Sequence, residues 1–195
     1  RTTAEIYEAA MKIQKEYQYD DLDGKTVDHD LCTCIFHGDK PNIQAFTSEV
    51  NEWNALIEDI HMKLKNGIPS QEICILVRSN HLVFSCANKL LSCGIQALRL
   101  SNAQSDDLQL QGVRIATMHR VKGMEYAYVY IPFLKSDYMP SQRDLVKYED
   151  ESSKQELIMQ EANLLSVAMT RAKRYVWMSF SGEPSRFIVE IEDGK

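Results

Sequence analysis

The sequence predicts an α/β fold, a largely parallel sheet flanked by helices, and three observations carry that expectation. Ile73–Val77 reads ICILV, a continuous apolar run that suits a central strand covered on both faces. A helical pattern through Val83, Phe84, Ala87, Leu90 and Leu91 follows, and an apolar segment at 95–100 completes the strand-helix-strand unit of a parallel sheet. Two further apolar segments, 113–117 and 127–133, read as strands, and the first breaks into a short polar loop, where open sheets of this class place their ligand-binding groups, just past the strand carboxyl ends.

Taken in order, Thr2 followed by Glu5 fits a capping box, with Ile6, Ala9, Ala10, Ile13 and Tyr17 recurring at helical spacing behind it. Asp20, Asp21, Asp23 and Gly24 read as an acidic turn; Tyr19 stands where a calcium loop needs its first carboxylate. Residues 31–36 read as a strand. Ser48 can cap a helix whose Val50, Trp53, Ile57, Ile60 and Leu64 form one apolar stripe, stopped by Asn66-Gly67 and Pro69, and Trp53 belongs to the core. Asn80 begins the next helix and Gly94 ends it in the left-handed conformation. After a short polar link, Val113, Ile115 and Thr117 alternate with Arg114 and Ala116 as in a half-buried strand. Residues 135–150 are polar and read as a surface loop. Ser153 with Glu156 makes a second capping box, for a helix carrying Leu157, Glu161, Leu164, Leu165, Ala168 and Ala172 on one side, and a last strand spans 174–181.

A length of 195 residues suits one domain, and 44% hydrophobic with 26% charged residues is ordinary globular composition. No apolar run approaches the roughly 18 residues of a membrane span, and the expected compartment is the cytoplasm. Five cysteines without a regular framework point to reduced thiols; Cys32 and Cys34 lack a second pair at zinc spacing, so no metal site is expected and the thiols read as small hydrophobes. A net charge of −6 argues against a broadly basic nucleic-acid surface. Screening beyond about 8 Å nevertheless lets a local cluster act within an acidic whole.

The chemistry concentrates in residues 113–126, VRIATMHRVKGMEY, where a strand breaks into a hydroxyl, an imidazole, a Lys122-Gly123 pair and a carboxylate. Thr117, His119, Lys122, Gly123, Glu125 and Tyr126 resemble motif V of the UvrD/Rep branch of superfamily 1 DNA helicases, T-x-H-x-x-K-G-L-E-F. Downstream, residues 167–172, VAMTRA, resemble motif VI with its arginine finger at Arg171. Residues 184–188, PSRFI, match the family's ending of this domain, and Arg1 stands where motif IV places a γ-phosphate-contacting arginine. The resemblance implies a second, RecA-like domain of the P-loop NTPase fold covering residues 1–195, one piece of a longer polypeptide. The segment between Leu100 and Val113 leaves no room for the family's inserted accessory domain.

What the resemblance implies for the residues is specific. Arg171 acts as the finger on transferred phosphate, with Arg1, Gly123 and Glu125 also on the nucleotide side, Glu125 as acceptor for the ribose; Thr117 and His119 contact single-stranded DNA. Physically, a guanidinium grips two phosphate oxygens at once, a carboxylate accepts ribose hydroxyls, and a hydroxyl or imidazole suits a strand. Arg171 is expected late on its helix, where the dipole favours a cation. Residues 77–80, VRSN, are read as structural. The chain contains no GxxxxGK[ST], so ATP and Mg2+ are expected to be bound mainly by an N-terminal RecA-like partner domain of the same polypeptide. Two alternatives stay open: the motor half of a helicase-nuclease, and a non-catalytic interaction module of the same fold.

Overall fold

The computed structural model describes residues 2–16, 36–100 and 106–192. Arg1, Tyr17, Tyr19, the acidic turn, Cys32, Cys34 and nearly all of the 31–36 segment lie outside the described residues. Six strands form one sheet: β1 (Asn42–Phe46), β2 (Ile73–Val77), β3 (Ala97–Arg99), β4 (Val113–Thr117), β5 (Tyr126–Ile131) and β6 (Ala172–Ser181). Their order is β1-β6-β5-β2-β4-β3 and every pairing is parallel. Each crossover must therefore carry the chain back across a face; among the described residues α2 (Glu49–Lys65), α3 (Asn80–Ser92), α4 (Gln142–Leu145) and α5 (Glu151–Met169) lie on these returns, while α1 (Ala4–Glu16) precedes β1 and α6 (Arg186–Glu192) follows β6.

The helices divide the apolar residues into two cores. On one face Ile6, Ala10 and Ile13 of α1, Leu165 and Met169 of α5 and Phe187 of α6 pack on Leu76, Val129 and Met178. On the other, Leu56 and Ile60 of α2 and Val83 and Leu90 of α3 cover Ile75, Ile115 and Trp177. All five residues of β2 are buried, as its continuous apolar run requires. Trp53 packs on Phe133 with ring centroids 4.8 Å apart, whereas Val50 is exposed and leaves the predicted stripe. Burial pushes the Cys86 thiol up to about 12 and raises Cys74 well above its ordinary range, which suits inert packing groups. No described helix is long and apolar enough to cross a membrane.

Local signals held unevenly. Ser48 and Ser79 cap α2 and α3 by accepting the amides of Asn51 and Leu82, and Gly94 follows α3 at φ 77°. The two proposed capping boxes do not form. Asp150 caps α5 instead, accepting the Ser153 amide at 2.7 Å, and that bond, with those from the serine hydroxyls, lowers its carboxyl to about 2. At α1, Glu5 turns away to His37 and the Gly38 amide, leaving the buried Thr2 and Thr3 hydroxyls without partners. The 135–150 segment contains α4 and buries Met139 and Pro140, so it is a packed connection rather than a bare surface loop.

One unexpected polar contact fixes the carboxyl end of β5. Glu52, wholly buried in the first turn of α2, accepts the Phe133 amide at 2.8 Å and the Ser179 hydroxyl at 2.6 Å. Phe133 has φ 64°, costly for a bulky residue, and the bond from its own amide helps hold it there.

Candidate nucleotide and strand sites

The 113–126 stretch does not sit at one end of the sheet. β4 rises to Thr117, the 3-10 turn Met118–Val121 folds over the face that carries α5, and the chain returns to the opposite end before β5 begins. Thr117 is level with Val77, while Tyr128 is level with Ile73 and Tyr126 lies two residues earlier. At about 3.3 Å per residue, Thr117 and Tyr126 are separated by roughly 20 Å along the strand direction. Thr117 and His119 thus stand at the carboxyl ends of the strands and Glu125 at the amino ends, a correction to the expectation that the whole motif follows the strand carboxyl ends. Gly123, at φ 84°, makes the turn between them, a conformation in which a side chain is strained. Lys122 beside it is exposed.

Glu125 and Arg171 come together at the amino ends. Each immediately precedes its strand, Tyr126 pairs with Ala172, and the Tyr126 amide donates to the Arg171 carbonyl at 2.9 Å. Lys173 Nζ lies 4.0 Å from a Glu125 oxygen, both side chains nearly half exposed, a geometry that contributes about 1 kcal/mol at most. Arg171 is not on the helix as expected: α5 ends at Met169, Thr170 caps it, and Arg171 is the next residue. Its Nε still donates to the Val167 carbonyl at 3.1 Å, so the cation meets the negative end of α5 from just outside. One terminal nitrogen donates to the Thr170 hydroxyl, and no carboxylate among the described residues pairs with the guanidinium. A half-buried arginine held to the helix end by its Nε and one terminal nitrogen keeps the chemistry that grips a phosphate; the half-exposed carboxylate beside it suits hydroxyls. Among the described residues no three metal-ligating side chains converge.

At the carboxyl ends, the hydroxyl of Thr117 and the ring of His119 make no hydrogen bond among the described residues. Desolvation lowers the His119 pKa from 6.5, the Arg78 guanidinium lowers it further, and Glu161 partly opposes both. Arg78, from the VRSN segment, grips Glu161 of α5 in a bidentate pair at 2.6 to 3.0 Å, with Asp144 at 3.9 Å. Glu161 is 4% exposed, so this pair fastens β2 to α5 beside the 3-10 turn. Sequence reading took Glu161 only as a position on the helix; its sole signal was a carboxylate inside an apolar stripe.

Arg114 departs furthest from expectation. Instead of facing solvent from a half-buried strand it is fully buried. Its guanidinium donates to the carboxylate of Asp106 and to the carbonyls of Asp107, Leu110 and Gly112. Tyr126 donates its hydroxyl to the same Asp106 at 3.0 Å. Residues 106–112, just before β4, are thereby folded onto the strand they introduce.

Comparison with known proteins agrees with this architecture. The model of the UvrD-like helicase C-terminal domain matches residues 95–183, from the segment ahead of β3 to the turn after β6. A probable DNA helicase of Mycoplasma pneumoniae is 30% identical over 139 residues, 67% of this chain and 23% of that protein. A probable DNA helicase II homolog of Rickettsia conorii is 34% identical over 92 residues, 42% of this chain and 13% of that protein. The chain therefore spans less than a quarter of the length of the curated relatives it matches. The crystal structure of the C-terminal domain of a possible DNA helicase from Lactobacillus plantarum WCFS1 superimposes with a TM-score of 0.62, covering 97% of this chain and 92% of that one; at 14% identity this likeness concerns the fold. Over residues 95–183, the chain belongs to the UvrD-like helicase C-terminal domain family.

Proposed function

We propose that this chain is the second RecA-like motor domain of an ATP-driven DNA helicase or translocase, supplying the arginine finger and part of the grip on single-stranded DNA. The single observation that carries the reading is the bond from the Tyr126 amide to the Arg171 carbonyl, which ties a half-exposed carboxylate and a guanidinium with no carboxylate partner among the described residues to one end of the sheet. In the proposed complex a partner domain with a P-loop holds Mg2+ and the β- and γ-phosphates. Bound there, ATP supplies the phosphoryl group that water removes. This chain's part is to orient and to neutralise: Arg171 donates to phosphate oxygens and Glu125 accepts from the ribose, while Gly123 gives the loop its turn.

Kinetics of the full-length protein test the nucleotide assignment. A ribose contact made equally in the ground and transition states affects binding alone. Glu125→Ala should raise the KM for ATP by roughly tenfold, the value of one charge-assisted hydrogen bond, with kcat within about twofold. A fall in kcat at unchanged KM would remove Glu125 from the ribose.

Strand contact has a pH signature. The lowered His119 pKa leaves its ring neutral at pH 7, and an adjacent phosphate would favour the protonated form. Affinity for oligothymidine should rise as pH falls from neutral towards the lowered pKa of the free ring, level off below it, and lose that rise in His119→Gln. Protonation costs the free fold something over the same window, because a base whose pKa is depressed gives up stability as pH falls. Identical pH profiles for His119→Gln and the unchanged protein would sink the assignment.

A further inference from the structure

Phe84 is a large aromatic side chain left 54% exposed on α3, and the guanidinium carbon of Arg99 lies 4.3 Å from its ring centroid. The sheet register fixes what stands beside this pair. Arg99 is level with Ile115, so in a parallel ladder both side chains leave the sheet on the face that α3 covers. Thr117, two residues beyond Ile115 and level with the buried Val77, leaves on that same face. Adjacent strands and a two-residue offset put the Arg99 and Thr117 backbones roughly 8 Å apart. That is close to the reach of one nucleotide. α3 starts at the same end of the sheet, so Phe84, near the start of its second turn, stays at this rim.

A half-exposed aromatic ring with a cation over it, one nucleotide from a hydroxyl that has no hydrogen-bond partner among the described residues, offers what single-strand binding uses: a base stacks and a phosphate pairs. We infer that Phe84 and Arg99 form a platform that stacks one unpaired base and pairs its phosphate, extending the strand contact from Thr117 towards the β3 edge. The inference rests on the strand-binding reading of Thr117 and His119. The platform tolerates any base, since every base offers a π-face, so it adds affinity without sequence preference.

Both side chains are exposed, so replacing them leaves the two cores intact. In the full-length protein, Phe84→Ala should weaken oligothymidine binding about 5- to 100-fold. Phe84→Trp should keep the affinity and add a fluorescence signal that the strand quenches, read against the buried Trp53 and Trp177. Arg99→Gln should flatten the dependence of log affinity on log salt by about 0.7, one phosphate's worth for a single strand. The platform is overturned if Phe84→Ala and Arg99→Gln both bind within twofold of the unchanged protein while His119→Ala binds more weakly; the strand reading itself then stands. If the unchanged protein binds no oligothymidine, both readings fall together.

Discussion

Replacing Arg171 by alanine should lower DNA-stimulated ATP turnover of the full-length protein by about 10³- to 10⁵-fold, or about 4 to 7 kcal/mol of transition-state stabilisation. ATP affinity should change far less, because the guanidinium meets charge that develops as the phosphoryl group leaves and that the ground state holds only in part. The structure gives this prediction its sharpness. Arg171 makes no ion pair among the described residues, and its Nε and one terminal nitrogen are held by Val167 and Thr170, so truncation removes donors without stranding a buried acid. Loss of turnover would therefore not be a folding defect in disguise. Arg171→Lys should recover little, since an ammonium lacks the planar fork and its stem cannot reproduce the bond from Nε to the helix end. Single-turnover ATPase with and without oligothymidine is the measurement. Turnover within threefold of the unchanged protein would return Arg171 to the status of a helix-end cation and favour the non-catalytic module.

The separation of the two candidate sites shapes what such a motor must do. Glu125 and Arg171 stand at the amino ends of β5 and β6, whereas Thr117, His119 and Arg78 stand at the carboxyl ends of β4 and β2, roughly 20 Å away along the strands. One helix runs between these ends. Glu161 of α5 is gripped by Arg78 beside His119, and ten residues later α5 has ended at Arg171, a helical span of about 15 Å. Midway, the Ser166 hydroxyl donates to the Ala10 carbonyl and ties α5 to α1. A helix with polar fastenings thus connects the two candidate sites directly.

Much of the fold was legible because burial writes itself into continuous apolar runs: ICILV could be little else than a central strand. Ser48 was legible as a cap although Thr47 stands beside it, and its hydroxyl accepts the Asn51 amide. The capping box at Ser153 lost to a stronger competitor. Asp150, three residues before Ser153, brings a full negative charge to the positive end of α5 and wins the position. For the candidate sites, the resemblance to motifs V and VI offered a residue set, but its division between two ends of the sheet could not be read from the sequence. A motif is a line of residues, and only the parallel pairing of β4 with β2 and of β2 with β5 makes the chain turn back in the middle of it. Arg114 was misread for a related reason. Alternation assigns a charged residue to the wet face, but its acceptors come from 106–112, and only the folded link assembles them.

That assembly makes Arg114 the place where the fold should be most fragile. Arg114→Met keeps most of the buried volume but leaves the Asp106 carboxylate, 8% exposed, without its cation and withdraws the donor from three carbonyls. Breaking one side of such a pair typically costs about 3 to 5 kcal/mol, a large share of the roughly 5 to 15 kcal/mol that a domain has in total. For a chain of this size, the melting temperature should fall by roughly 6 to 20 °C. Asp106→Asn should cost less, because an amide still accepts from Arg114 and from the Tyr126 hydroxyl while the charge alone is lost. Tyr126→Phe should cost about 1 kcal/mol, the value of one hydroxyl bond. Thermal unfolding of the three variants reads the series directly, and its order carries the argument: Arg114→Met worst, Tyr126→Phe mildest. An Arg114→Met protein that melts within 2 °C of the unchanged chain would mean that the link does not close over β4, and the guanidinium would then be solvated as the alternating pattern of the strand first suggested.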